Sequence, residues 1–104
     1  MIIQINTDKN ITGSDETSAS IESTISEALN RFSGKISRLE VHLSDENSQK
    51  EGLSDKRCML EARIEGMQPI AVTNQAGTME QAIDGAIEKL KASLQTILGK
   101  LKTY

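Results

Sequence analysis

The last quarter of the chain carries its longest regular pattern of apolar positions. Thr78 is followed three residues later by Gln81, the spacing of a capping box, whose side chains satisfy free backbone N–H groups at the start of a helix. Beyond this pair, aliphatic residues recur in steps of three and four, which places them on one helix face: Ala82, Ile83, Ala86, Ile87, Leu90, Leu94, Ile97 and Leu101. The pattern predicts an amphipathic helix from Thr78 to about Lys102, roughly 35 Å long.

A second helical stripe lies in the first third of the chain. Its apolar members follow one another at spacings of four, four and three: Ile21, Ile25, Leu29 and Phe32. Ser14 or Asp15 can cap the start of this helix, and the acidic residues that follow suit the positive end of its dipole. Gly34 is the expected stop.

Elsewhere, apolar residues alternate with polar ones, which is typical of half-buried strands. Four such segments are visible; the second begins at Ile36, and the last has the weakest pattern. Their inward-facing residues, in chain order, are Ile3 and Ile5; Leu39, Val41 and Leu43; Cys58, Leu60, Ala62 and Ile64; and Ile70, Val72, Asn74 and Ala76. Residues 66–69 read as a turn. The polar stretch 44–56 exceeds an ordinary hairpin loop, and we interpret it as a mobile connection.

These elements predict an α+β fold in one domain, residues 1–104, with the order β-α-β-β-β-α. Because each helix has a single apolar stripe, we expect one four-stranded sheet with both helices packed on the same face. The other face would show mixed charges to water: Arg38, Glu40, His42, Glu61 and Arg63. We interpret these charges as cross-strand pairs that favour solubility, in preference to a binding patch.

Composition and charge narrow the function. The chain has 12 basic and 15 acidic residues and a net charge of −3, which is not typical of a general nucleic-acid binder. Cys58 stands alone and shares the parity of buried neighbours, so we expect a small buried hydrophobe in a reducing compartment. His42 has no partner at metal-ligand or acid–base spacing. The sequence has no signal-peptide or membrane-span pattern, so it predicts a soluble, cytoplasmic protein. Because no nucleophile, acid–base pair or metal-ligand cluster can be assembled from it, we expect a protein that is not an enzyme and needs no cofactor or metal.

Several local motifs, in the right order and spacing, resemble one known family. Lys9-Asn10-Ile11 with Ser14-Asp15 is similar to its first loop and helix cap, and Val41-His42-Leu43 sits at its alternating strand. Met79, Ala82-Ile83-Asp84 and Glu88-Lys89-Leu90 match its helix-opening pattern. The chain thereby resembles, over nearly its whole length, the short form of the ribosome hibernation-promoting factors, also called ribosome-associated translation inhibitors.

The resemblance implies a double-stranded-RNA-binding-like domain that binds the small ribosomal subunit at 16S rRNA and blocks translation under stress by steric occlusion, without catalysis. It implies neither a DNA nor a membrane partner. Lysines of the second helix would contact RNA phosphates, with help from two residues near the end of the first helix. The candidate rRNA-binding residues are Lys89, Lys91, Lys100, Lys102, Arg31 and Lys35.

The charges of the first helix favour an alternative function. It carries Asp15, Glu16, Glu22 and Glu27 against a single Arg31. Positions where family members tend to place basic residues hold Ser18, Thr24 and Glu27. A protein-interaction or self-association module that has lost ribosomal RNA binding would fit this balance, with a homodimer as one candidate assembly. Its candidate partner surface is the end of the long helix, at Ile97, Leu98 and Leu101, although these residues can instead cover the end of the first helix.

Overall fold

The fold was obtained as a computed structural model, which describes residues 1–7, 15–45 and 56–101, with the side chains of residues 1–7, 18–44 and 56–98. The elements are β1 (Ile2–Thr7), α1 (Asp15–Ala28), a short 3-10 turn (Asn30–Phe32), β2 (Ile36–Asp45), β3 (Lys56–Ile64), β4 (Ile70–Ala76) and α2 (Met79–Leu101). The predicted order β-α-β-β-β-α is confirmed.

The four strands form one mixed sheet in the order β1-β2-β3-β4. β1 runs parallel to β2 because α1 carries the chain back between them, whereas the other two pairs are antiparallel. Ile5 lies opposite Val41, Val41 opposite Leu60, and Leu60 opposite Val72. This row crosses the whole sheet on its helix-covered face, so the alternation in the sequence fixes the register.

Both helices pack on that same face, as predicted. Leu90 and Leu94 of α2, Ile25 of α1, and Leu29 just after α1 are fully buried in one cluster with the inward-facing strand residues. α2 packs over β3 and β4. The core contains almost only aliphatic side chains, and Phe32, 5% exposed, is its one aromatic member among the described residues.

The first helix ends earlier than the sequence indicated. α1 stops at Ala28, and Phe32 reaches the core from the 3-10 turn that follows. The N–H of Phe32 donates to the carbonyl of Leu29 at 2.9 Å, the tighter i to i+3 bond of a 3-10 turn. The tightened turn keeps Phe32 on the apolar side before the chain reaches Gly34.

The start of β2 corrects the simple alternation. Ile36 has the parity of the outward-facing Arg38, yet it is only 2% exposed. A register irregularity between these two residues, opposite Ile64, turns Ile36 toward the core. Such a β-bulge lets one strand present two same-parity residues to opposite faces.

Two predicted loops lie largely outside the described residues. For the connection at 44–56, the structure describes only the ends, where Asp45 pairs with Lys56 as β2 and β3 continue further than expected. The family-like stretch Lys9-Asn10-Ile11 and the candidate cap Ser14 fall within 8–14 and also lie outside. Among the described helices, none is long and apolar enough to span a membrane.

Candidate nucleic-acid interface

Charge along α2 is segregated by position. Its first ten residues, 79–88, contain three carboxylates and no basic residue: Glu80, Asp84 and Glu88. Its remaining residues, 89–101, contain three lysines and no acid: Lys89, Lys91 and Lys100. α1 carries no basic residue at all. Basic charge on the helical layer is therefore confined to the second half of α2 and to the turn after α1.

Lys89 lies at the outer edge of the sheet. Its Nζ donates a hydrogen bond to the carbonyl oxygen of Thr73 in β4 at 2.7 Å. The side chain thus spans from α2 to the backbone of an edge strand and occupies a carbonyl that another strand could use. Lys89 can contact a phosphate only with its remaining donors, or by giving up this bond.

Lys91 lies on the opposite flank of α2. Residues two apart on a helix point in very different directions, so Lys91 does not share the face of Lys89. Asp84 lines a hollow between α2 and α1, and Lys91 follows it by seven residues, which places Lys91 on the same side of the helix. Its Nζ is 3.8 Å from a carboxylate oxygen of Glu88, and 29% of its side chain is exposed. Lys89 and Lys91 would therefore contact different phosphates.

The two basic candidates near the end of α1 are both exposed. The guanidinium of Arg31 lies 4.8 Å from the ring centroid of Phe32, a cation–π contact that orients it. Lys35 lines a hollow at the end of the sheet together with Leu98 of α2. The turn after α1 and the C-terminal end of α2 are therefore neighbours.

Of the two remaining candidate lysines, one lies at this same end of the molecule. Lys100 lies in α2 two residues after Leu98, and its side chain is not among those described. Lys102 lies outside the described residues. We define the basic end as Arg31, Lys35 and Lys100.

The three residues of the candidate partner surface differ in what the structure shows of them. Leu98 is half-buried and packs against the core, as internal cover would require. Ile97 is half-buried beside a shallow surface hollow that it shares with Ala92, Ser93 and Thr96. The side chain of Leu101 is outside the described set.

The open sheet face carries a cross-strand ion pair of the kind that the sequence predicted. Arg63 of β3 lies 3.6 Å from a carboxylate oxygen of Glu40 in β2 and 3.5 Å from one of Glu61 in its own strand. His42, half-buried, stands opposite Met59 on one side and Asn6 on the other. This face therefore pairs part of its charge locally, as Lys91 and Glu88 do on α2.

One feature of the helical layer could not be read from periodicity. A groove of about 390 Å³ separates the middle of α1 from the first two turns of α2. Its floor is apolar, from Ile21, Met79 and Ile83, and its α2 rim carries Glu80 and Asp84. The sequence signal was the pair of carboxylates four residues apart beside apolar positions, which is common on any solvated helix.

Comparison with known proteins gives this arrangement its context. In fold, the chain is similar to the N-terminal domain of Protein Y from Thermus thermophilus, with a TM-score of 0.73 and 18% identity over 93% of this chain and 99% of that one. It is also similar to a ribosomal subunit interface protein from Coxiella burnetii, with a TM-score of 0.72 and 18% identity over 95% and 99% of the two chains. None of the curated proteins matches it in sequence.

A sequence model of the family described as sigma-54 modulation protein / S30EA ribosomal protein matches residues 3–102. The chain therefore belongs to this family of ribosome-associated hibernation and modulation factors. The resemblance found in the sequence is confirmed, and so is the four-stranded sheet with two helices that the order of elements predicted.

Proposed function

We propose that this protein binds the small ribosomal subunit in the cytoplasm and restrains translation by steric occlusion, without catalysis. The observation that carries the proposal is the family match across residues 3–102. The relatives of the same fold, a Protein Y domain and a ribosomal subunit interface protein, support it. Ribosome hibernation under stress is the role that fits such a factor.

The basic end supplies the electrostatic part of the mechanism. Arg31 and Lys35 are exposed, and Lys100 follows on the neighbouring end of α2. Their cationic groups can contact RNA phosphates and release counterions, which gives affinity without base reading. The cation–π contact of Arg31 reduces the conformational freedom that binding would otherwise remove.

Lys89 and Lys91 have a secondary part in this scheme. Both already have a protein partner, the Thr73 carbonyl for one and Glu88 for the other. A phosphate must compete with that partner, so each lysine contributes less net affinity than a free one. The electrostatic affinity of the protein for RNA therefore comes mainly from the basic end, and it is weaker than that of a helical layer with basic residues along its whole length.

Sedimentation with purified small ribosomal subunits through sucrose tests the proposal. We expect co-sedimentation at low salt that fades steeply as salt rises. Changing Arg31, Lys35 and Lys100 together to Gln should reduce the slope of log affinity against log salt by about two to three, since each lost phosphate contact contributes roughly 0.7–0.9.

The matched control removes the same charge from the open sheet face, by changing Arg38, Arg57 and Arg63 to Gln. It should leave the salt slope within experimental error, provided that circular dichroism shows both triple variants folded. An equal decrease of the salt slope in both variants would mean that the net charge of the protein alone governs binding. A protein left at the top of the gradient at every salt concentration would refute ribosome binding.

A further inference from the structure

The groove between α1 and α2 combines an apolar floor with an acidic rim on its α2 side. The seven side chains that line it, all within the described part of the chain, include two carboxylates and no basic group. Ile83 is 5% exposed, whereas Ile21 and Met79 are half-buried and leave apolar surface open to the solvent. The groove is thus both hydrophobic and anionic.

The two carboxylates stand unpaired. Glu80 and Asp84 are exposed, and neither has an ion-pair partner among the residues that the structure describes. They lie four residues apart on one helix face, where like charges repel and destabilise the helix slightly. A cation bound between them would relieve this repulsion.

The opposite wall of the groove leaves space for a ligand. It is formed by Ser20 and Thr24 of α1, which are exposed, short and neutral. No lysine or arginine from α1 reaches across, because α1 contains none. The chain's own described helices therefore provide no countercharge at this position.

We propose that this groove binds a basic polypeptide segment from another molecule. An aliphatic side chain of that segment would rest on Ile21, Met79 and Ile83, and a flanking lysine or arginine would face Glu80 and Asp84. The charge of the rim selects this occupant, since it repels phosphate and attracts cationic side chains. The proposal goes beyond ribosomal RNA contact and does not depend on the basic end.

Fluorescence anisotropy with the full chain tests the inference. The probe is a short fluorescein-labelled peptide with two leucines flanked by lysines and arginines. A second peptide has serines in place of the leucines. We expect saturable binding of the first peptide, and binding of the serine peptide that is weaker by at least about fivefold, because the apolar floor is then unused.

The variant Glu80→Gln with Asp84→Asn should weaken binding of the leucine peptide by about fivefold to tenfold, as two partly exposed charge pairs are lost. Its matched control, Glu22→Gln with Glu65→Gln, removes two exposed carboxylates away from the groove and should change affinity less than twofold. Both pairs are surface substitutions, and neither removes a core contact.

NMR chemical shifts locate the bound peptide independently of affinity. On titration, the methyl group of Met79 and the amide of Thr24 should shift, while residues at the basic end should not. Equal weakening by the two double variants would reduce the effect to net charge and overturn the proposal. Shifts confined to other surfaces, or a single-stranded RNA that shifts the same groove residues with equal affinity, would overturn it as well.

Discussion

At the scale of single residues, Gly85 shows how one position joins α2 to the sheet. The amide nitrogen of Asn74 donates to the carbonyls of Gln81 and Ala82, at 3.4 and 3.3 Å, and so ties β4 to the helix backbone. A Cβ at position 85 would overlap the Asn74 amide, with Cγ only 2.6 Å away. The structure therefore identifies Asn74 as the group that requires a residue without a Cβ at position 85.

Changing Gly85 to Ala should therefore destabilise the protein by about 1–2 kcal/mol, although Ala favours an ordinary helix by about 1 kcal/mol. The reason is that Asn74 must move and give up its bonds to the helix. Denaturant unfolding measures the change. The double variant Gly85→Ala with Asn74→Ala should be more stable than Gly85→Ala alone, because the clash is removed. A gain of stability in the single variant would contradict the close contact.

Cys58 is the second residue whose environment has a measurable consequence. It is fully buried, and desolvation raises the pKa of its thiol to about 12 from 9.0. The folded state therefore holds the thiol proton more tightly than the unfolded state does. The resulting stability is fully present below pH 9 and is lost as pH rises from about 9 to about 12.

We expect the free energy of unfolding to fall over this interval by more in the wild type than in a Cys58→Ala variant. Urea unfolding at several pH values measures both, and the variant subtracts the contributions of lysine and tyrosine titration. Parallel pH dependences in the two proteins would show that the thiol is not desolvated. The native thiol should also react slowly with iodoacetamide at pH 8, since little thiolate is present.

At the scale of elements, the sequence pattern correctly predicted the features that depend on residues close together in the chain. The apolar stripe of α2 and the alternation in β3 appear as expected. So does the Thr78 cap, whose hydroxyl accepts a hydrogen bond from the N–H of Gln81 at 3.1 Å. The misses arise where tertiary packing overrides the local period. Phe32 needed a 3-10 turn to reach the core, and Ile36 needed a bulge.

The candidate site was less accessible to the same reasoning. Periodicity placed Lys89 and Lys91 on α2, but it could not show that one bonds the β4 edge while the other pairs with Glu88. The groove was hidden for a similar reason. It depends on the separation of two helices distant in sequence, and that separation is set by the sheet beneath them.

At the scale of the whole molecule, the two helices start at an acidic end and finish at a basic one. Asp84 and Glu80 lie 16 and 20 residues before Lys100 on α2, which is roughly 24–30 Å at 1.5 Å per residue. The screening length is about 8 Å at physiological salt and about 30 Å at 0.01 M. The two ends are therefore electrically separate at physiological salt, so one molecule can use them for different partners.

Reversing the acidic end tests this separation. The variant Glu80→Lys with Asp84→Lys should bind small ribosomal subunits within about twofold of wild type at physiological salt, because the rim lies about three screening lengths from the basic end. As ionic strength falls, the screening length grows and the variant should gain affinity over wild type. Parallel sedimentation series measure both affinities, with Glu22→Lys and Glu61→Lys, which lie on α1 and on the open sheet face, as the control of equal charge. A large gain specific to the groove variant at physiological salt would place RNA against the groove, and the two ends would then serve one partner.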